Sequence, residues 1–147
     1  MTVPASKRRT SPLEWQTLAT DIRVEVIRLM GSEKTVPKSM RFTIALPTVK
    51  DAHALVRSVI HSRDTYPTDR PSWEKRRRHL TDAIGWCDVL EDDIALIKAI
   101  WDQTDLNRFG RLATRLEREK QLLRGRIQAD RNALRTKGVP TDLVDGQ

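Results

Sequence analysis

"HLTDAIGWCDVLEDDIALIKAIW", residues 79–101, is the stretch that decides the fold. Its apolar residues Ala83, Cys87, Leu90, Ile94, Ile97 and Trp101 recur at steps of four and three, with Leu80 one turn upstream. Alternating steps of that size lay one side chain per turn along a single stripe of an α-helix. A stripe this long needs other helices to cover it, so the flanking sequence is where its partners are sought.

Upstream, Ser72 is the expected cap of this third helix, and the double-proline string "DTYPTDRPS" is the loop before it. A second helix is expected over residues 39–64, with Ala45, Val49, Ala52, Val56, Val59 and Ile60 turned inward and Pro47 disturbing its start. The first helix begins at "SPLE", where Ser11 can cap, Pro12 suits the first helical position and Glu14 follows three residues on. Trp15, Leu18, Ile22, Val26 and Leu29 give its stripe, and Gly31 ends it. Downstream, Thr104 can cap a fourth helix striped by Phe109, Leu112, Leu116, Leu123, Ile127 and Leu134. Gly138 with Pro140 beyond is the usual order of residues at a helix stop.

Four helices with short links imply an all-α, antiparallel up-down-up-down four-helix bundle over residues 11–138. A loose basic arm at 1–10 and a frayed tail at 139–147 are expected to flank it. The chain of 147 residues is the size of one domain. No run of some 18 apolar residues and no apolar leader is present, which excludes a spanning helix and a signal peptide from the expected organisation. A single cysteine, Cys87, excludes an intrachain disulfide and fits a cytoplasmic setting.

Catalysis finds little support. His53 and His61 stand two turns apart, too far for a helical zinc chelate, and Cys87 has no histidine within a turn. Asp88, Glu91, Asp92 and Asp93 lack a glycine-rich loop to shape a metal site, so they read as a solvated face or as a patch for arginines of another copy. No enzyme, no cofactor and no metal is expected.

Charge is more informative. The 27 Lys and Arg exceed the 20 Asp and Glu, leaving +7, and such an excess attracts polyanions. Lys75, Arg76, Arg77 and Arg78 sit in the opening turns of the third helix, where the helix dipole disfavours positive charge. On the fourth helix Arg108, Arg111, Arg115 and Arg118 form a ridge beside the leucine stripe, and Arg126 returns to the same side. Thr104 to Lys137 holds ten cations against four carboxylates, eight of the ten being arginine, whose fork suits phosphate oxygens. The alternative is a solvated outer face, on which Glu117 and Glu119 can pair locally with arginines. These residues are the candidate nucleic-acid-binding set, with largely sequence-blind contacts.

The corner between the first two helices reads "VPKSMRFTIALP", residues 36–47. Within it Pro37, Lys38, Ser39, Arg41, Phe42 and Thr43 resemble the Pro-basic-Ser-x-Arg-Phe-Thr signature of a family of small four-helix-bundle proteins. That family includes the accessory variability determinant of diversity-generating retroelements and the proteins encoded in intervening sequences of bacterial large-subunit ribosomal RNA. The likeness extends over roughly residues 13–130, in "SVIHSRDTYP" and in the layout of the last two helices. Where the family continues with Leu-Gly, this chain has Ile44-Ala45-Leu46-Pro47, so the start of the second helix is expected to be shaped differently.

The resemblance implies a homo-oligomer, a pentamer with a basic outside. It would bind a partner reverse transcriptase and template RNA or its cDNA product, and assist mutagenic copying without catalysing it. A ring of five such chains would present on the order of +35. The alternatives are a ribosomal intervening-sequence type of RNA binder and a protein–protein adaptor whose arginines meet acidic partners. In the corner, Phe42 is expected to pack under the link between the first two helices, with Lys38 and Arg41 left in water.

Overall fold

In the computed structural model, residues 11–102, 104 and 106–141 are described. The arm expected at 1–10 and the last six residues of the expected tail lie outside them. Four α-helices account for most of the chain: α1 (Glu14–Met30), α2 (Leu46–Asp64), α3 (Arg70–Ile100) and α4 (Asn107–Thr136). No strand occurs among the described residues. The helices run up-down-up-down, with α1 packed on α2, α2 on α3, α3 on α4, and α4 closing back onto α1. The expected antiparallel bundle is the observed fold. No described helix is long and apolar enough to cross a membrane.

The core follows the stripes. Ala83, Cys87, Leu90, Ile94 and Ile97 of α3 meet Phe109, Leu112, Leu116 and Leu123 of α4 and Trp15, Ile22 and Val26 of α1, all buried. Trp101 departs from the expected stripe: it terminates α3 as the C-cap and is half-buried. Ile60 is the inward residue of α2 that the structure turns out, 36% exposed at the rim of the α1–α2 groove.

The ends of the helices are set by local chemistry. Asp69, not Ser72, caps α3: its carboxylate accepts from the Ser72 N–H at 2.9 Å, and the Ser72 hydroxyl accepts from the Asp69 N–H at 3.1 Å. Ser72 therefore stands at the third helical position and closes a capping box, with Pro71 inside the first turn. These hydrogen bonds hold the Asp69 carboxyl below its ordinary range. Ser11 and Thr104 do not cap either: α1 starts behind Leu13 and α4 behind Leu106 without a side-chain cap. Thr104 instead crosses the bundle end, its buried hydroxyl donating to the Thr35 carbonyl at 2.8 Å.

At the far end of α4, Gly138 takes φ +79°, and the N–H groups of Gly138 and Val139 return to the carbonyls of Arg135 and Leu134. That pair of bonds needs a left-handed residue, which glycine supplies without strain. The tail expected to fray from 139 is docked as far as Thr141, which is buried and accepts from Arg135 Nε at 3.3 Å.

The corner is built from two unusual turns, a 3₁₀ turn at Lys38–Met40 and a π-helical turn at Arg41–Ala45, directly before α2. Pro47 has no N–H to give and its ring crowds the preceding turn, and a wider turn relieves that crowding. The Leu46 N–H accordingly reaches back five residues to the Arg41 carbonyl.

Candidate nucleic-acid interface

The cations picked out on α3 and α4 split into two groups. Arg115 donates to Glu25 and Arg118 to both oxygens of Glu14, at 3.2 and 2.9 Å, so half of the expected ridge stitches α4 to α1. The Glu14 bond holds the Arg118 guanidinium above its ordinary range. Arg126 and Arg76 meet on one carboxylate, Asp130, with Nε–O distances of 3.0 Å each. Asp130 and Arg76 are almost fully buried. Burial pushes the Asp130 carboxyl up against the pull of its two guanidinium partners, and lowers Arg76 despite Asp130. The Arg76 guanidinium also stacks on Trp15 at 5.5 Å, while Arg77 and Arg131 cover the buried Trp73 ring at 5.2 and 6.0 Å.

The expectation of guanidinium groups turned outward is thus corrected for Arg115 and Arg126 of the ridge and for Arg76 of α3, while Arg118 stays exposed beside Glu14. For Arg76, Arg115 and Arg118 the packing of distant segments brings the carboxylate there, whereas Arg126 meets Asp130 one turn on in its own helix. Of the same set, Lys75, Arg78 and Arg111 remain exposed. Arg108 is half-buried beside Arg111.

What this leaves is a groove between α1 and α4, about 500 Å³, lined by Arg28, Arg108, Arg111 and Arg115 against Asp21 and Glu25. Glu25 is already engaged by Arg115. Arg28 was not singled out by the sequence, because it belongs to another helix than the ridge it joins.

The acidic cluster belongs to the fold. Lys120 reaches Glu91 at 2.7 Å and Asp88 and Glu117 at 3.1 Å each, so one ammonium of the same chain ties two members of the cluster to α4, while Asp92 stays exposed. These partners, Glu91 foremost, raise the Lys120 ammonium. Asp93 turns away from them toward Asp51 of α2; it is pushed up to about 8 by burial first, then by Asp51 and Asp92.

Glu119 does not take up the local pairing with an arginine that its sequence position allows. It is instead completely buried between Leu116 and Leu123, with neither oxygen hydrogen-bonded, and its carboxyl is pushed up to about 9 by burial and by the charge of Glu14. Cys87 is buried in the same core, and burial raises its thiol. His79 meets His61 edge-to-face at 5.2 Å, and burial followed by His61 lowers it. Among the described residues no three His, Cys, Asp or Glu side chains gather as metal ligands.

In the corner Pro37 precedes the 3₁₀ turn in extended conformation, and Lys38 pairs with Glu33 at 3.3 Å. Ser39, Arg41 and Thr43 are exposed. Phe42 is also exposed, at 80%, which overturns its expected place under the link. Val36, Ile44 and Ala45 fill that space, and the π turn leaves Phe42 on the opposite side.

Arg23, Lys50 and Arg57 are further exposed or half-exposed cations; Arg23 and Arg57 line the groove between α1 and α2, and Lys50 is exposed on α2. Together the fold and these surfaces define a four-helix bundle with cationic grooves on two sides. No family model, no curated protein and no solved structure matches the chain.

Proposed function

We propose that the protein is a non-catalytic, basic scaffold that holds nucleic acid, of the kind that an accessory variability determinant provides to a retroelement reverse transcriptase. The observation that carries this reading is the α1–α4 groove, where Arg28 and Arg111 stand without an ion pair among the described residues, next to Arg108. Guanidinium groups left unneutralised along a groove suit phosphate oxygens, which they bind in pairs of hydrogen bonds. The net +7 adds a long-range attraction for the same ligand.

A scaffold also needs a face for other proteins. Val89, Leu96 and Ile100 follow at steps of seven and four along α3, with 38%, 43% and 46% of their surface exposed. That line supports docking of a further copy, toward a ring such as a pentamer, or of a polymerase.

The test is fluorescence anisotropy of a labelled RNA of about 20 nucleotides, read from about 50 to about 200 mM KCl for wild type and the Arg28→Gln/Arg111→Gln variant. Two lost phosphate contacts should flatten the log affinity–log salt slope by about 1.4 on a single strand. Equal slopes, with both proteins folded by circular dichroism, would contradict the assignment of the groove.

A further inference from the structure

The outer side of α2 carries a pattern the charge count alone does not reveal. Phe42, Leu46, Lys50, His53, Arg57 and His61 follow at steps of four, four, three, four and four, and all six are exposed. Helical neighbours at such steps share one face, so two apolar groups at one end lead into four nitrogen-bearing ones. From Leu46 to His61 the face is about 22 Å long at the helical rise.

Beside this face runs the groove between α1 and α2. Its two adjoining segments, about 260 and 330 Å³, share Arg23, Val56 and Ile60. Among the described residues no carboxylate lines either segment. The acids of α2 are engaged elsewhere: Asp51 with Asp93 across the α3 side, and Asp64 with Arg63 at 3.0 Å. Arg23, Lys50 and Arg57 have no ion pair among the described residues. This sets the α2 face apart from α4, where Glu25, Glu14 and Asp130 take up Arg115, Arg118 and Arg126.

From this juxtaposition we infer that the α2 face is a track for single-stranded nucleic acid, with phosphates on Lys50, Arg57 and Arg23 and a base stacked on Phe42. The inference rests on the nucleic-acid reading above and gives that reading a strand type and a path. Charge complementarity selects a polyanion. Phe42 selects an unpaired one: a ring with 80% of its surface in water offers a stacking platform that only a base outside a duplex can use. The corner signature thereby acquires a use. Its π turn sends Ile44 and Ala45 into the core and holds Phe42 out at the head of the cationic stripe.

The experiment uses the full chain, a labelled oligouridylate of about 20 nucleotides and a duplex of the same length. Phe42→Ala should weaken oligouridylate binding about tenfold, leave duplex binding and the melting temperature unchanged, and be rescued by Phe42→Trp. Arg23→Gln/Arg57→Gln should flatten the single-strand salt slope by about 1.4. If oligouridylate binds wild type, loses affinity in Arg28→Gln/Arg111→Gln and ignores all the α2 changes, the track is wrong while the scaffold reading stands. Equal effects of Phe42→Ala on single strand and duplex would also overturn it. Absence of binding to either probe would overturn the track and the scaffold together.

Discussion

Replacing Glu119 by glutamine should change how the stability of the bundle depends on pH. Glu119 is fully buried, its oxygens have no hydrogen-bond partner, and its carboxyl is raised from 4.5 to about 9 by burial first and Glu14 second. Between those two values the folded chain carries a proton that the unfolded chain has released. Unfolding then releases a proton, so stability falls as pH rises, by about 1.4 kcal/mol per pH unit. From about pH 5.5 to about pH 7.5 the loss is about 2.7 kcal/mol. Glutamine keeps the shape and has no proton to lose, so E119Q should gain on wild type by that amount over the same interval. Asp93 and Asp130, also raised by burial, are present in both proteins and cancel in the difference. Urea unfolding followed by far-UV circular dichroism at four pH values measures it. Parallel stability curves for the two proteins would refute the reasoning, since they would mean that Glu119 is ionised, or open to water, in the folded state.

Two further outcomes follow from the packing. Asp130→Asn leaves the buried Arg76 and its neighbour Arg126 without their shared carboxylate and should cost about 3 kcal/mol in urea unfolding; a cost below about 1 kcal/mol would place the pair in water. Cys87, buried with a raised thiol, should react with a thiol reagent only at the rate of unfolding, so that labelling in urea tracks the circular-dichroism transition; fast labelling in buffer would contradict its place in the core.

The bundle was legible because its signal is local. Steps of three and four need no knowledge of distant residues, and Ala83, Cys87, Leu90, Ile94 and Ile97 are all buried as their spacing says. The same rule also carried signals that a search for leucines passes over. Glu119 stands three after Leu116 and four before Leu123, and Asp130 stands four before Leu134, both at core positions of the α4 stripe. The fate of the arginines was not legible. Arg115 finds Glu25 and Arg118 finds Glu14 across separations of 90 and 104 residues, and nothing local tells which side of α4 will face α1. Asp69 and Ser72 could each cap α3, and the box they form uses both, so the boundary turned on three residues of loop geometry. Phe42 misled for another reason: an aromatic side chain in a tight corner reads as a plug, and here Val36, Ile44 and Ala45 fill the corner while Phe42 stays 80% exposed. The cationic face of α2 was visible as Lys50, His53, Arg57 and His61 at steps of three and four, yet each of its members is unremarkable alone.

The central claim is that this bundle grips phosphodiester chains with its unneutralised guanidinium and ammonium groups. A salt titration of wild-type protein against single-stranded RNA tests it most directly. Log affinity should fall linearly with log salt at about 0.7 per phosphate contact, giving a slope near −3 for four to five cations engaged. Affinity that does not change with salt, or no binding even in dilute buffer, would contradict it.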